Sequence, residues 1–174
     1  MINFRPITKN DFADLCSVLQ DKNVMYAWEH AFSDEEVHKW IENCQKSYAE
    51  NGFGHLYATE SETGKFIGMM GLLLETVNGQ NYIGLGYILA PKYWKKGYAT
   101  QGAAILLNRA FRELGAQLVI AEIRPENTAS RRVAERLGMK CTGEFLKYYR
   151  GKQMPHLIYR ITKNEFCTLK TAAE

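Results

Sequence analysis

The sequence predicts one α+β (mixed α/β) domain, a central mixed sheet flanked by helices on both faces. Three observations carry that reading. The turn signals Ser61-Glu62-Thr63-Gly64 and Asn78-Gly79 separate three runs of strand length. Ala103, Ala104, Leu107, Ala110, Phe111 and Leu114 recur at the three- and four-residue steps of a helix. Last, the β-type run Leu118 to Ile123 is followed by Asn127, a good N-cap, and by Gly138, a good helix stop.

Taken in order, Ile2 to Pro6 reads as a first strand leading into a helix from Asn10 to Gln20. A second helix spans Asp34 to Glu50, with Ser33 supplying the side-chain oxygen that caps its first turn. Strands follow at Gly54 to Thr59, Lys65 to Leu74 and Tyr82 to Leu89. The helix after Gly97, the strand Leu118 to Ile123 and a helix Ser130 to Leu137 come next, and then two late strands around Cys141 to Tyr148 and Leu157 to Thr162.

With 174 residues, 46% of them hydrophobic, the chain can bury a substantial core as one domain spanning residues 1–174. No run approaches the length of a membrane helix, and the start lacks the charged-then-apolar pattern of a secretory signal, so a cytoplasmic protein is expected. Cys16, Cys44, Cys141 and Cys167 have no paired metal spacing and read as reduced thiols. His30, His38, His55 and His156 form no HExxH-like cluster, and no metal is expected.

Charge divides the chain. Residues 1–87 carry 6 Lys and Arg against 12 Asp and Glu, whereas residues 88–174 carry 16 against 7. A basic half suits a polyanionic ligand and an acidic half suits a cationic amine. A nucleic-acid partner is disfavoured, because the bases lack the interleaved aromatics of single-strand binders.

The segment from Tyr87 to Thr100 concentrates the chemistry. A strand, a turn at Pro91 and a basic loop with Gly97 open into a helix, whose first turn offers unpaired N–H groups and the positive end of the macrodipole. Glycine lets a ligand approach, and Lys95 and Lys96 favour a phosphate. An ordinary strand-to-helix connection with a solvated lysine pair accounts for the same residues. The loop is neither a Walker loop nor a dinucleotide fingerprint: Gly64-Lys65 and Gly151-Lys152 lack the following Ser or Thr, and Gly84-Leu85-Gly86 lacks its third glycine.

About thirty residues on comes a strand, then Asn127-Thr128-Ala129-Ser130, a helix and Leu137-Gly138. Together with Trp94-Lys95-Lys96-Gly97-Tyr98-Ala99, this order resembles the GNAT superfamily of N-acetyltransferases, in particular its RimJ/RimL-type branch. Phe4-Arg5-Pro6, Asn10-Asp11-Phe12, Phe32-Ser33-Asp34-Glu35-Glu36, Phe66-Ile67-Gly68 and Tyr148-Tyr149 extend the resemblance over nearly the whole chain. It implies a mostly antiparallel GNAT sheet and direct transfer of an acetyl group from acetyl-CoA to a primary amine, a protein N-terminus among the candidates. A polyamine or aminoglycoside acetyltransferase and a non-catalytic acyl-CoA-binding module are the alternatives. No nucleic acid or membrane partner is implied, and monomer and homodimer both remain open.

The resemblance also implies roles. The backbone N–H groups of Lys96, Gly97, Tyr98, Ala99 and Thr100, beside Lys95, would hold the pyrophosphate. Ile88 and Leu89 would pair with the pantetheine arm, with an N–H near Leu89 stabilising the oxyanion. Asn127 would hold the pantetheine, Ser130 would face the sulfur, and Arg131 or Arg132 would cover the adenine or the ribose phosphate. Tyr148 and Tyr149 are the candidate acids. Many relatives carry a Glu at the place of Gly84, which cannot take a proton. Glu122 and Glu29 are then candidate bases that read equally as surface charges, and the missing Glu favours an acceptor whose amine is already partly neutral. Trp28, Glu29 and Tyr87 are candidate acceptor-binding residues, with Tyr26, Phe32, Trp40 and Tyr57 as possible lining. Pro155 stands where the branch usually has an Asp.

Overall fold

The computed structural model describes residues 1–171. In chain order they form β1 (Ile2–Pro6), α1 (Phe12–Leu19), α2 (Asp34–Asn51), β2 (His55–Glu60), β3 (Phe66–Val77), β4 (Gln80–Leu89), α3 (Tyr98–Arg112), β5 (Leu118–Ile123), α4 (Thr128–Arg136), β6 (Lys140–Tyr149), β7 (Lys152–Thr162) and α5 (Lys163–Thr171). The seven strands form one sheet in the order β1-β2-β3-β4-β5-β7-β6. β1–β2, β2–β3, β5–β7 and β6–β7 pair antiparallel and β4–β5 parallel, so the sheet is mixed and mostly antiparallel.

The described chain groups into two compact units. One comprises Met1–Leu73 with Gly86–Ala103, the other Leu74–Leu85 with the chain from Ala104 onward. β3, β4 and α3 are long enough to run through both.

In the first unit, α1 begins two residues later than the sequence predicts. A 3-10 turn precedes it, because the Asp11 carboxylate turns back to accept the Thr8 N–H at 2.7 Å and Arg5 at 2.6 and 2.8 Å. α2 starts where predicted. Ser33 Oγ accepts the Glu36 N–H at 3.3 Å, and Glu36 Oε2 accepts the Ser33 N–H at 2.8 Å, a reciprocal cap. Leu15, Val18, Leu19, Val37 and Ile41 on these helices and Ile67, Met69 and Met70 on β3 are at most 2% exposed and make the core.

The hairpin at Asn78-Gly79 forms as predicted, both residues at positive φ. In the second unit, β7 is longer than predicted: it pairs with β6 from Lys152 and with β5 only from Leu157. Pro155, opposite Leu146, therefore sits outside the stretch in which β7 has a neighbour on each side, where its missing N–H is tolerated. The C-terminal helix α5 was not anticipated. Its signal is the box Thr162-x-x-Glu165, in which the Glu165 carboxylate accepts the Thr162 N–H at 2.9 Å and O–H at 2.8 Å. Those bonds and Lys140 pull Glu165 down to about 2. Phe166 then meets Phe111 of α3 at a tilt, ring centroids 5.3 Å apart.

One residue sets how β3 meets β4. Gly68 has φ +148, and a Cβ there would lie 2.2 Å from the Ile88 carbonyl oxygen and 2.8 Å from Leu89 Cα. Gly68→Ala should therefore cost on the order of 3 kcal/mol, from backbone overlap and an unfavourable φ together. Chemical denaturation would read this, and a loss below about 0.5 kcal/mol would show that the strands part easily.

Candidate active site

The first unit supplies a loop. β4 ends at Leu89, Ala90 N–H bonds the Ile67 carbonyl at 3.0 Å, and a short turn Pro91–Tyr93 leads to Trp94. The Trp94 indole donates to the Leu89 carbonyl at 2.7 Å, tying the loop back to the strand end. Lys95 and Gly97 both take positive φ, +59 and +83, which folds the backbone sharply on either side of Lys96. Residues 94–97 are exposed, and nothing lies within 4 Å of where a Gly97 Cβ would be. The first α3 bond runs from Gln101 N–H to the Gly97 carbonyl at 3.0 Å, so the N–H groups of Tyr98, Ala99 and Thr100 lie ahead of the helix's own ladder. The Tyr98 hydroxyl bonds Glu60 and its ring meets Tyr93 edge-on, so that side chain anchors the helix start to β2 and the turn. Such a loop can take a polyanion on its backbone.

The candidate acceptor residues of this unit divide. Tyr57 is core: its hydroxyl donates to Asp14 at 2.7 Å, and the Arg5 guanidinium covers its ring at 3.8 Å. Trp28 ends a 3-10 turn and is half-buried, Glu29 follows in the left-handed region, and Tyr87 is half-buried on β4. Phe32, Trp40 and His55 form a row of rings with centroids 5.6 and 4.9 Å apart. Burial pushes His55 down to about 4, leaving it neutral near pH 7, and the buried Trp40 Nε1 has no partner among the described residues. His55 was missed because a lone histidine in a strand carries no signal.

The second unit supplies two groups on opposite faces of its strands. Directly paired residues share a face. Tyr159, 2% exposed, lies on the face toward α4, where Asn127 caps the helix by accepting the Ser130 N–H at 3.1 Å. Arg131 donates to the Tyr159 hydroxyl at 3.2 Å and the Pro125 carbonyl at 3.1 Å. Its guanidinium thus serves the α4 packing. Arg132 is exposed and Ser130 half-buried.

On the other face, β6 presents Phe145, Lys147 and Tyr149, opposite His156, Met154 and Lys152 of β7, and β5 presents Glu122 opposite Ile158. Tyr148 points the opposite way and is 74% exposed. Glu122 is no surface charge: its side chain is 5% exposed and bonded to Lys147 Nζ at 2.6 Å. Lys147 also pairs with Glu75 of β3 at 3.3 Å. Of this group only Glu122 was singled out from sequence. A carboxylate within the apolar run Leu118 to Ile123 was the available signal, whereas Glu75 and Lys147 sit in ordinary strand patterns.

No metal-holding group of His, Cys, Asp and Glu occurs among the described residues, and no helix among them is long and apolar enough to cross a membrane.

Comparison with known proteins bears on the family and the fold. The family model described as Acetyltransferase (GNAT) domain matches residues 2–140. The uncharacterized protein YkkB of Bacillus subtilis is 30% identical over 139 residues, covering 79% of this chain and 81% of that one. The FsC-acetyl coenzyme A-N(2)-transacetylase of Aspergillus fumigatus is 30% identical over 159 residues, 84% of this chain and 66% of that one. The solved structure of Mycobacterium smegmatis RimJ in complex with CoA-disulfide superposes with a TM-score of 0.78 at 24% identity, covering 99% of this chain and 89% of that one. With the family model spanning most of its length, the chain belongs to the GNAT acetyltransferase family.

Proposed function

We propose that this chain is a RimJ/RimL-type enzyme that transfers the acetyl group of acetyl-CoA to the α-amine of a polypeptide N-terminus. The loop Trp94 to Gly97 carries the reading: exposed, basic, doubly folded at positive φ and opening directly into α3. The empty space over Gly97 leaves room for a pyrophosphate against the N–H groups of Lys96, Gly97, Tyr98, Ala99 and Thr100, with Lys95 and Lys96 adding charge. Ile88 and Leu89 pair with the pantetheine arm in this proposal, and the Leu89 N–H takes the oxyanion. The Leu89 carbonyl, held by Trp94, stays out of that pairing. Asn127 and Ser130 contact the pantetheine, a role Asn127 combines with its cap.

For the acid that protonates the departing thiolate we assign Tyr149 rather than Tyr148. Tyr149 is half-buried and shares a face with Lys147, whereas Tyr148 points to solvent on the other face. The acceptor follows from proton chemistry. An α-amine titrates near ~8, so roughly a tenth is neutral at pH 7, against about one in several thousand for a lysine amine near ~10.4.

Three outcomes test this. Acetyl-CoA at about 100 times its dissociation constant should add roughly 2.7 kcal/mol and raise the unfolding midpoint by about 5–10 °C, with the shift largely lost in the Lys95→Ala/Lys96→Ala double variant. An unshifted midpoint would make the loop structural. In a thiol-release assay, a peptide with a free N-terminal serine should react faster than its N-blocked lysine-containing counterpart and than spermidine; equal rates would overturn the α-amine acceptor. Tyr149→Phe should lower kcat about 10²-fold with the acetyl-CoA shift intact, while Tyr148→Phe stays within a few-fold of wild type. The reverse order would move the acid to Tyr148.

A further inference from the structure

Glu75 fills a space that glycine at position 84 leaves open. A Cβ at Gly84 would lie 2.4 Å from Glu75 Cγ, so the Glu75 side chain lies across the β4 backbone where any other residue would project. Its carboxylate meets Lys147 at 3.3 Å, and the same ammonium meets Glu122 at 2.6 Å. Two carboxylates thus share one cation. The second oxygen of Glu122 is buried and has no hydrogen-bond partner among the described residues, although that side chain is 95% removed from solvent by its 5% exposure.

Leaving a buried carboxylate oxygen unpaired is costly unless a proton or cation visits it. Burial raises the Glu75 carboxyl above its ordinary value; Lys147 opposes this and Glu122 reinforces it. Glu122 lies within hydrogen-bonding reach of a protonated Glu75, which would give the unpaired oxygen its donor. The other titratable side chains on this face are Tyr149 of β6, Lys152 of β7 and His156 of β7, which burial shifts toward its neutral form and whose Nδ1 meets the Met154 carbonyl at 3.0 Å. The group is therefore able to hold one additional proton, and of its two carboxylates Glu75, at 20% exposure against 5% for Glu122, is the more accessible.

We propose that Glu75 is the general base of this enzyme, with Lys147, the cation its carboxylate faces, and Glu122, the second carboxylate on that cation, as the positioning residues; the assignment rests on the N-acetyltransferase reading above. The Glu75 carboxylate takes one proton from the acceptor ammonium, giving a neutral amine and a carboxylic acid. The amine lone pair forms the N–C bond to the acetyl carbon, and the C–S bond breaks with its electron pair left on sulfur. The amine's surplus proton passes to the thiolate through Tyr149, and Glu75 returns its own proton to solvent. The products are an amide, a free thiol and one proton.

The test is the pH dependence of kcat/KM for the N-terminal serine peptide with saturating acetyl-CoA. The wild type should rise through the Glu75 titration and then stay level until the amine's own value near ~8. Glu75→Gln should fall about 10²-fold at pH 7 and instead climb roughly tenfold per pH unit up to ~8, while keeping the acetyl-CoA stabilisation. Lys147→Met removes the cation that lowers Glu75 and should move the acid limb to higher pH, a readout that also decides the matter if Glu75→Gln does not fold. A Glu75→Gln profile of unchanged shape, or an acid limb unmoved in Lys147→Met, overturns the proposal while leaving the acetyltransferase intact. Absence of any transfer by the wild type overturns both.

Discussion

The end of β4 passes so close to β3 that a side chain at position 68 would collide with the backbone of Ile88 and Leu89. The loop depends on that approach. It fixes where the strand stops, lets Ala90 N–H reach the Ile67 carbonyl, and brings the Leu89 carbonyl within reach of the Trp94 indole. A loop with two residues at positive φ would otherwise sample many conformations, and Trp94 at one end and Tyr98 at the other hold it in one. The ordering entropy is met during folding, so under the proposed function the loop's backbone N–H groups would meet an anion already preorganised. Substituting Gly68 would therefore disturb the loop without touching it.

Local signals were legible where they were short-range. Ser33 and Asn127 cap the helices assigned to them, and Asn78-Gly79 turns the predicted hairpin. A cap or a turn is decided by atoms three or four residues apart, which a sequence displays directly. The start of α1 was misjudged because the Asp11 carboxylate prefers Thr8 and Arg5 to a longer helix. α5 was missed although Thr162-x-x-Glu165 announces it, since no strong apolar period follows. The loop around Gly97 was legible because its parts are contiguous. Glu122 stood out within its apolar run, but its meeting with Glu75 and Lys147 did not, because the three come together only through a strand order that no local pattern specifies. The bond between Arg131 and Tyr159 was hidden for the same reason, since the two are 28 residues apart.

The charge asymmetry of the chain acquires a finer meaning at this scale. Residues 88–174 are strongly basic overall, yet Glu122 lies among them as a buried carboxylate, joined by Glu75 and neutralised only in part by Lys147. In the function proposed above, basic charge near the loop and a small acidic centre elsewhere would answer different chemical needs, polyanion binding and proton removal. Net charge by halves blurs the two, because the acidic centre draws one residue from each half.

Glycine at position 84 at first argues for an enzyme that needs no base and takes only amines already neutral. The side chain of Glu75 over that glycine reverses the inference, since the residue that cannot take a proton is the one that admits a carboxylate that can. The two arguments still converge on the same acceptor. A carboxyl raised by burial but restrained by Lys147 is a mild base, and the proton it can remove most readily is one from an amine of low basicity. A lysine amine, more than two pH units more basic than an α-amine, would ask the same carboxylate for over a hundredfold more. Selectivity between the two would then come from the strength of the base as much as from the shape of any pocket.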